Sequence, residues 1–133
     1  MGVRVDELGK LKVGSYVLID GEPCKVLSTD KSKPGKHGAA KVRLSALGLF
    51  DNSKRQLLGS VTTRVEVPII EKFEAQVVSV LGDTVQLMDL ASGDYAVFDV
   101  EMPKDPELVE KIVEGVNVEV WRVLERNTIM RVK

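Results

Sequence analysis

The sequence predicts an all-β chain folded as two small barrels in succession. Three observations carry the prediction. Apolar and polar residues alternate over most of the chain, tight-turn pairs such as Asp20-Gly21 interrupt the alternation, and no stretch reads as a long helix. The chain has 133 residues, 44% of them hydrophobic and 29% charged, an ordinary globular balance. That length suits one medium domain or two units of roughly 65 residues.

In the first half, Ser15–Asp20 (SYVLID) runs into Asp20-Gly21, a strong two-residue hairpin signal, and Cys24–Thr29 (CKVLST) returns. Ala39–Leu47 (AAKVRLSAL) sets Ala40, Val42, Leu44 and Ala46 against Lys41, Arg43 and Ser45, giving one apolar side and one basic or polar side. Phe50–Gly59 has room for one helical turn capped by Asp51 or Asn52. Val61–Val67 alternates again and stops at Pro68. Short strands with close turns make the first barrel.

The second half has a different layout. Glu74–Leu81 and Thr84–Leu90 flank Gly82-Asp83 as a hairpin, and Ser92-Gly93-Asp94 turns the chain into Tyr95–Val100. Asp105 is placed as N-cap of a short helix over Glu107–Glu114, with Pro106 at its first position and Gly115 as its stop. Val116–Leu124 and Thr128–Val132 complete five strands with one short helix before the fourth, the pattern of an oligonucleotide/oligosaccharide-binding (OB) barrel. No internal repeat relates the halves. Tyr95, Phe98 and Trp121 are expected to fill the core.

Net charge is −1, but it is divided unevenly. Residues 1–68 hold 12 lysines and arginines against 7 acids, and residues 69–133 hold 7 against 13. A basic half suits phosphate and an acidic half does not. Absence of an apolar run near the roughly 20 residues of a membrane span, and of an N-terminal signal core, leads to the expectation of a cytoplasmic protein without a membrane partner. Cys24 is the single cysteine and His37 the single histidine. No internal disulfide or Cys/His metal cluster follows, and Cys24, at the start of an apolar strand, reads as a buried core thiol. Without a nucleophile elbow or a dinucleotide fingerprint, the chain is not expected to be an enzyme.

One stretch is not explained by barrel construction. Residues 30–43, DKSKPGKHGAAKVR, gather Lys31, Lys33, Lys36, His37, Lys41 and Arg43 around Pro34, Gly35 and Gly38 at a hairpin tip, where like charges repel. A phosphate-binding P-loop is excluded. It needs glycine where Asp30 stands, Ser or Thr where His37 stands, and a following helix where the sequence alternates like a strand. Pro34 fixes one φ angle, and Gly35 and Gly38 permit positive φ on either side of Lys36-His37, so the loop is suited to projecting Lys36.

Lys33, Gly35, Lys36, His37, Gly38, Ala40 and Lys41 match the pattern K-x-G-K-H-G-x-A-K. The stretch resembles the modification loop of the archaeal and eukaryotic translation initiation factor 5A family, relatives of bacterial elongation factor P. The resemblance extends over the whole length and implies an SH3-like barrel at 1–69 followed by an OB-fold domain at 70–133. It implies that Lys36 receives an aminobutyl group from spermidine to become deoxyhypusine or hypusine, with no other cofactor. It further implies that deoxyhypusine synthase is a partner, and that the modified factor binds the ribosome beside peptidyl-tRNA and promotes peptide bond formation at stalls such as proline runs.

The residues suit that implication. Lys31, Lys33, Lys41 and Arg43 are expected to contact tRNA or rRNA phosphate without reading bases. Pro34, Gly35, His37 and Gly38 are expected to set loop geometry and recognition by the modifying enzyme. The chain is expected to act as a monomer or weak dimer. The alternative is a generic single-stranded nucleic-acid binder using the second barrel. Aromatics amount to only 5% of the chain and the second half is acidic, whereas stacking platforms need aromatics on a positive groove. A protein-interaction module with an ordinary Lys36 is the other alternative.

Overall fold

The computed structural model describes residues 2–32 and 40–133. Among these residues, eleven strands and one short α-helix divide at Ile69/Ile70 into two compact units, Met1–Ile69 and Ile70–Lys133. The mostly-β class follows from the sequence alternation.

In the first unit, β1 (Val3–Glu7) pairs antiparallel with β6 (Arg64–Pro68), from Val3 opposite Pro68 to Glu7 opposite Arg64. A four-stranded antiparallel sheet runs in the order β2 (Tyr16–Ile19), β3 (Glu22–Ser32), β4 (Lys41–Gly48), β5 (Lys54–Ser60). Asp20 and Gly21 both have positive φ, 53° and 79°, as a two-residue turn matched to strand twist requires. Val17, Cys24, Val26, Val42, Leu44 and Ala46 are fully buried in one core with Leu8.

Two elements of this unit differ from the sequence reading. Residues 54–60 form strand β5, so the helical turn expected within Phe50–Gly59 is absent. Lys54, Gln56 and Leu58 are exposed while Arg55, Leu57 and Gly59 are less so, a period of two that lets β5 pair with β4 along its whole length. Asp51 does cap, but it caps a turn: its carboxylate accepts from the Ser53 backbone N–H and from both terminal nitrogens of Arg55. Strand β1 and the 3-10 turn Leu8–Lys10 were not anticipated, although Val3 and Val5 alternate with Arg4 and Asp6.

In the second unit one sheet has the order β11 (Arg126–Val132), β10 (Asn117–Val123), β7 (Ile70–Leu81), β8 (Thr84–Asp89), β9 (Val97–Glu101), all antiparallel. The outer strands β9 and β11 also approach each other, so the sheet curls toward closure. Helix α1 (Pro106–Lys111) precedes the fourth strand, and the Asp105 carboxylate accepts from the Glu107 N–H at 3.0 Å. The helix is shorter than its sequence pattern, because Ile112 leaves helical geometry and turns into the core with Val77, Leu87 and Val120. Gly115, at φ +92, belongs to the turn that follows.

Of the three aromatics assigned to the core, Phe98 packs against it, tilted on Phe73 with centroids 5.9 Å apart. Trp121 is buried to 9% exposure, with the Lys72 ammonium 4.4 Å over its ring and its Nε1–H donating to Glu119. Tyr95 contradicts the expectation. It is 58% exposed at positive φ in the turn before β9, where its backbone role outweighs burial of its ring.

Candidate functional site

The hairpin of β3 and β4 carries the basic stretch. Its ladder runs from Cys24 opposite Gly48 to Ser32 opposite Lys41, with one bulge between Val26 and Ser28. Val42, Leu44 and Ala46 lie fully buried on one face of β4, which fixes the register, since a one-residue slip would expose all three. Burial of such side chains stabilises by about 2 kcal/mol for a valine or leucine. The intervening residues Lys41 and Arg43 are thereby held outward and exposed.

Cross-strand pairing sorts the expected phosphate contacts. Asp30 stands opposite Arg43, and Arg43 opposite Leu58 of β5; Ser32 stands opposite Lys41, and Lys41 opposite Ser60. These residues share the outer face. Lys31, opposite Val42, is exposed but belongs to the other face of the ladder. Lys33, Pro34, Gly35, Lys36, His37 and Gly38 lie outside the described residues.

The sequence reading missed Asp30, Ser32 and Leu58. They line a groove of about 440 Å3 together with Lys41 and Arg43. Leu58 is 65% exposed there. The signal available for it was the alternation of Lys54, Gln56 and Leu58, obscured by the helical reading of that segment. Neither Lys41 nor Arg43 forms an ion pair with another described residue.

At the other end of the hairpin the chemistry is structural. Arg55 holds the Asp51 carboxyl down to about 2, helped by the Ser53 N–H. Burial pushes the Cys24 thiol up, with the Arg55 cation opposing, and the thiol donates to the Glu22 carbonyl. A fully buried thiol with a raised pKa is a poor nucleophile, in agreement with its assignment as a core residue. Among the described residues no three His, Cys, Asp or Glu side chains gather to hold a metal ion. No helix among the described residues is long and apolar enough to cross a membrane.

Comparison with known proteins gives the same family as the loop motif. Residues 4–63 match the family model "Translation initiation factor 5A-like, N-terminal", and residues 69–133 match "Eukaryotic elongation factor 5A hypusine, DNA-binding OB fold". Translation initiation factor 5A of Thermofilum pendens is 53% identical, covering 100% of this chain and 99% of its own. The chain belongs to the translation initiation factor 5A family. That of Sulfurisphaera tokodaii is 47% identical, with 100% of both chains covered. The solved structure of translation initiation factor 5A from Methanococcus jannaschii superposes with a TM-score of 0.88 at 38% identity, covering 99% of this chain and 96% of that one. A family member from Naegleria fowleri superposes with a TM-score of 0.79 at 28% identity, covering 100% and 99%. The two curled sheets agree with that family's structure, with an OB-fold in the second part, and the chain is accordingly a translation factor.

Proposed function

We propose that Lys36 is the modified lysine of this family member. Deoxyhypusine synthase would transfer an aminobutyl group from spermidine to its side-chain nitrogen, giving deoxyhypusine or, after further processing, hypusine. The modified factor then binds the cytoplasmic ribosome, as a monomer or weak dimer, beside peptidyl-tRNA and promotes peptide bond formation at stalled sequences such as proline runs. Among the structural observations, the one that carries this reading is the β3–β4 ladder. It delivers two exposed cations, Lys41 and Arg43, to the base of the segment that contains the K-x-G-K-H-G-x-A-K match. Family membership and the match to a model described by its hypusine support it.

The division of labour follows from the chemistry. A lysine extended by a second amine reaches further into an RNA environment, where phosphate crowding favours cations. Lys31, Lys33, Lys41 and Arg43 anchor the hairpin on phosphate without reading sequence. Bond formation itself stays with the ribosome, and the factor lowers the barrier by restricting the tRNA end to a reactive geometry. The test is intact-mass measurement and peptide mapping of the protein from its native source, paired with stall relief in reconstituted translation. A mass increment on Lys36, and stall relief only by protein that carries it, are expected. Unmodified Lys36 in native protein would return it to the status of an ordinary loop lysine.

A further inference from the structure

We infer that the groove on the outer face of β3, β4 and β5 is a ribonucleotide subsite, in which Asp30 accepts a hydrogen bond from a ribose 2′-hydroxyl. The inference rests on the RNA-binding part of the proposed function and goes beyond it, because a set of cations alone holds DNA and RNA alike. Three kinds of group line the groove. Lys41 and Arg43 supply two cations, Leu58 supplies an apolar wall at 65% exposure, and Asp30 and Ser32 supply oxygen acceptors. A carboxylate in the same groove as the two cations is unfavourable in a site that takes phosphate alone. It is favourable where the ligand also brings a hydroxyl donor, because an ionised carboxylate only accepts. A nucleotide in RNA brings that combination: phosphate for Lys41 and Arg43, a base face for Leu58, and a 2′-hydroxyl for Asp30. Charge complementarity favours it, as the groove carries two cations against one carboxylate. The register brings these groups together, since Asp30, Arg43 and Leu58 are successive partners across three strands, and Arg43 is fixed by β4, whose opposite face is packed on the core through Val42 and Leu44.

The experiment uses the full, unmodified chain with a 12-nucleotide single-stranded RNA and the DNA of the same sequence, titrated at low salt. The parent is expected to bind the RNA about tenfold more tightly, the factor one hydrogen bond to a charged group supplies. Asp30→Ala is expected to bring the RNA-to-DNA ratio close to one. This variant separates the sugar contact from charge, because loss of a carboxylate by charge alone would strengthen both strands equally and leave the ratio unchanged. Arg43→Ala should weaken both strands alike, and Lys31→Ala, on the other face, should leave the ratio at its parent value. Equal affinity of the parent for RNA and DNA, or a ratio untouched by Asp30→Ala, overturns the subsite while leaving the phosphate contacts intact. Binding of neither strand overturns the subsite together with the RNA contacts of the proposed function, but not the modification of Lys36, which mass measurement decides separately.

Discussion

The two units differ in how the cations of their sheets are held. In the second unit Arg131 bonds Glu119 at 3.0 Å, Lys133 lies 3.5 Å from Glu74, Arg122 approaches Glu71, and Lys72 covers the Trp121 ring. Four of its seven lysines and arginines are thus neutralised or shielded within the unit, and an excess of carboxylates remains. The first unit pairs Arg55 with Asp51 and Arg4 with Asp6, yet leaves Lys41 and Arg43 without a carboxylate at ion-pair distance among the described residues. The difference shows that net charge alone does not locate a binding surface. What locates it is a cation that the fold holds outward and does not itself neutralise.

The largest expected effect would break the comparison at its functional end. Lys36→Arg keeps a cation but cannot accept the aminobutyl group at a lysine amine. Stall relief is expected to vanish while the melting temperature stays that of the parent. Full stall relief by this variant in reconstituted translation would show that charge at position 36 is sufficient. Next in size are the two cores. Leu44→Ala and Leu87→Ala each truncate a fully buried leucine, and each is expected to destabilise its own unit by about 3 kcal/mol. Denaturant unfolding followed by Trp121 fluorescence, which reports on the second unit, should respond to the second substitution more than to the first.

A smaller effect sharpens the contrast between paired and unpaired cations. Arg43→Ala or Lys41→Ala should flatten the salt dependence of ribosome affinity by about one unit each, whereas Arg131→Ala should leave the slope unchanged. Equal changes in all three would mean that ion pairing in the second unit does not withhold cations from RNA. The smallest effect is that of pH on the Asp51–Arg55 pair. The folded carboxyl titrates near 2, below its unfolded value. Its stabilisation is therefore fully present above about pH 4 and is lost as pH falls from there toward 2. Asp51→Asn should flatten the fall in melting temperature over that window, modestly, because the pair is solvent-accessible.

Much of this was legible in the sequence, because strand alternation and turn chemistry are local. Asp20-Gly21 announced its hairpin, and Asp105-Pro106 announced its helix. The uneven charge and the loop motif both point to the basic hairpin. The misread elements depended on pairing. Residues 54–60 have no strongly apolar face, and only their hydrogen bonding along β4 makes them a strand. Helix α1 ends early because Ile112 is drawn into a core that no local rule describes. Asp30, Ser32 and Leu58 were invisible as a set, since register across three strands brings together residues up to 28 positions apart.

Strand β3 has neighbours on both sides only near its start. At Cys24 and Lys25 it lies between β2 and β4, but from Ser28 to Ser32 it pairs, among the described residues, with β4 alone, while β4 keeps β3 and β5 on its two sides. The chain thus enters the segment 33–39 from an edge strand and leaves it into a central one. Amide protons of the distal half of β3 should exchange with solvent sooner than those of β4, through openings that do not require the whole unit to unfold. An edge left this way invites pairing with a second chain, and the charges of Asp30 and Lys31 are of the kind that discourage it. The distal half of β3 can therefore adapt to a partner on a timescale of local fraying, while β4 keeps Lys41 and Arg43 in place.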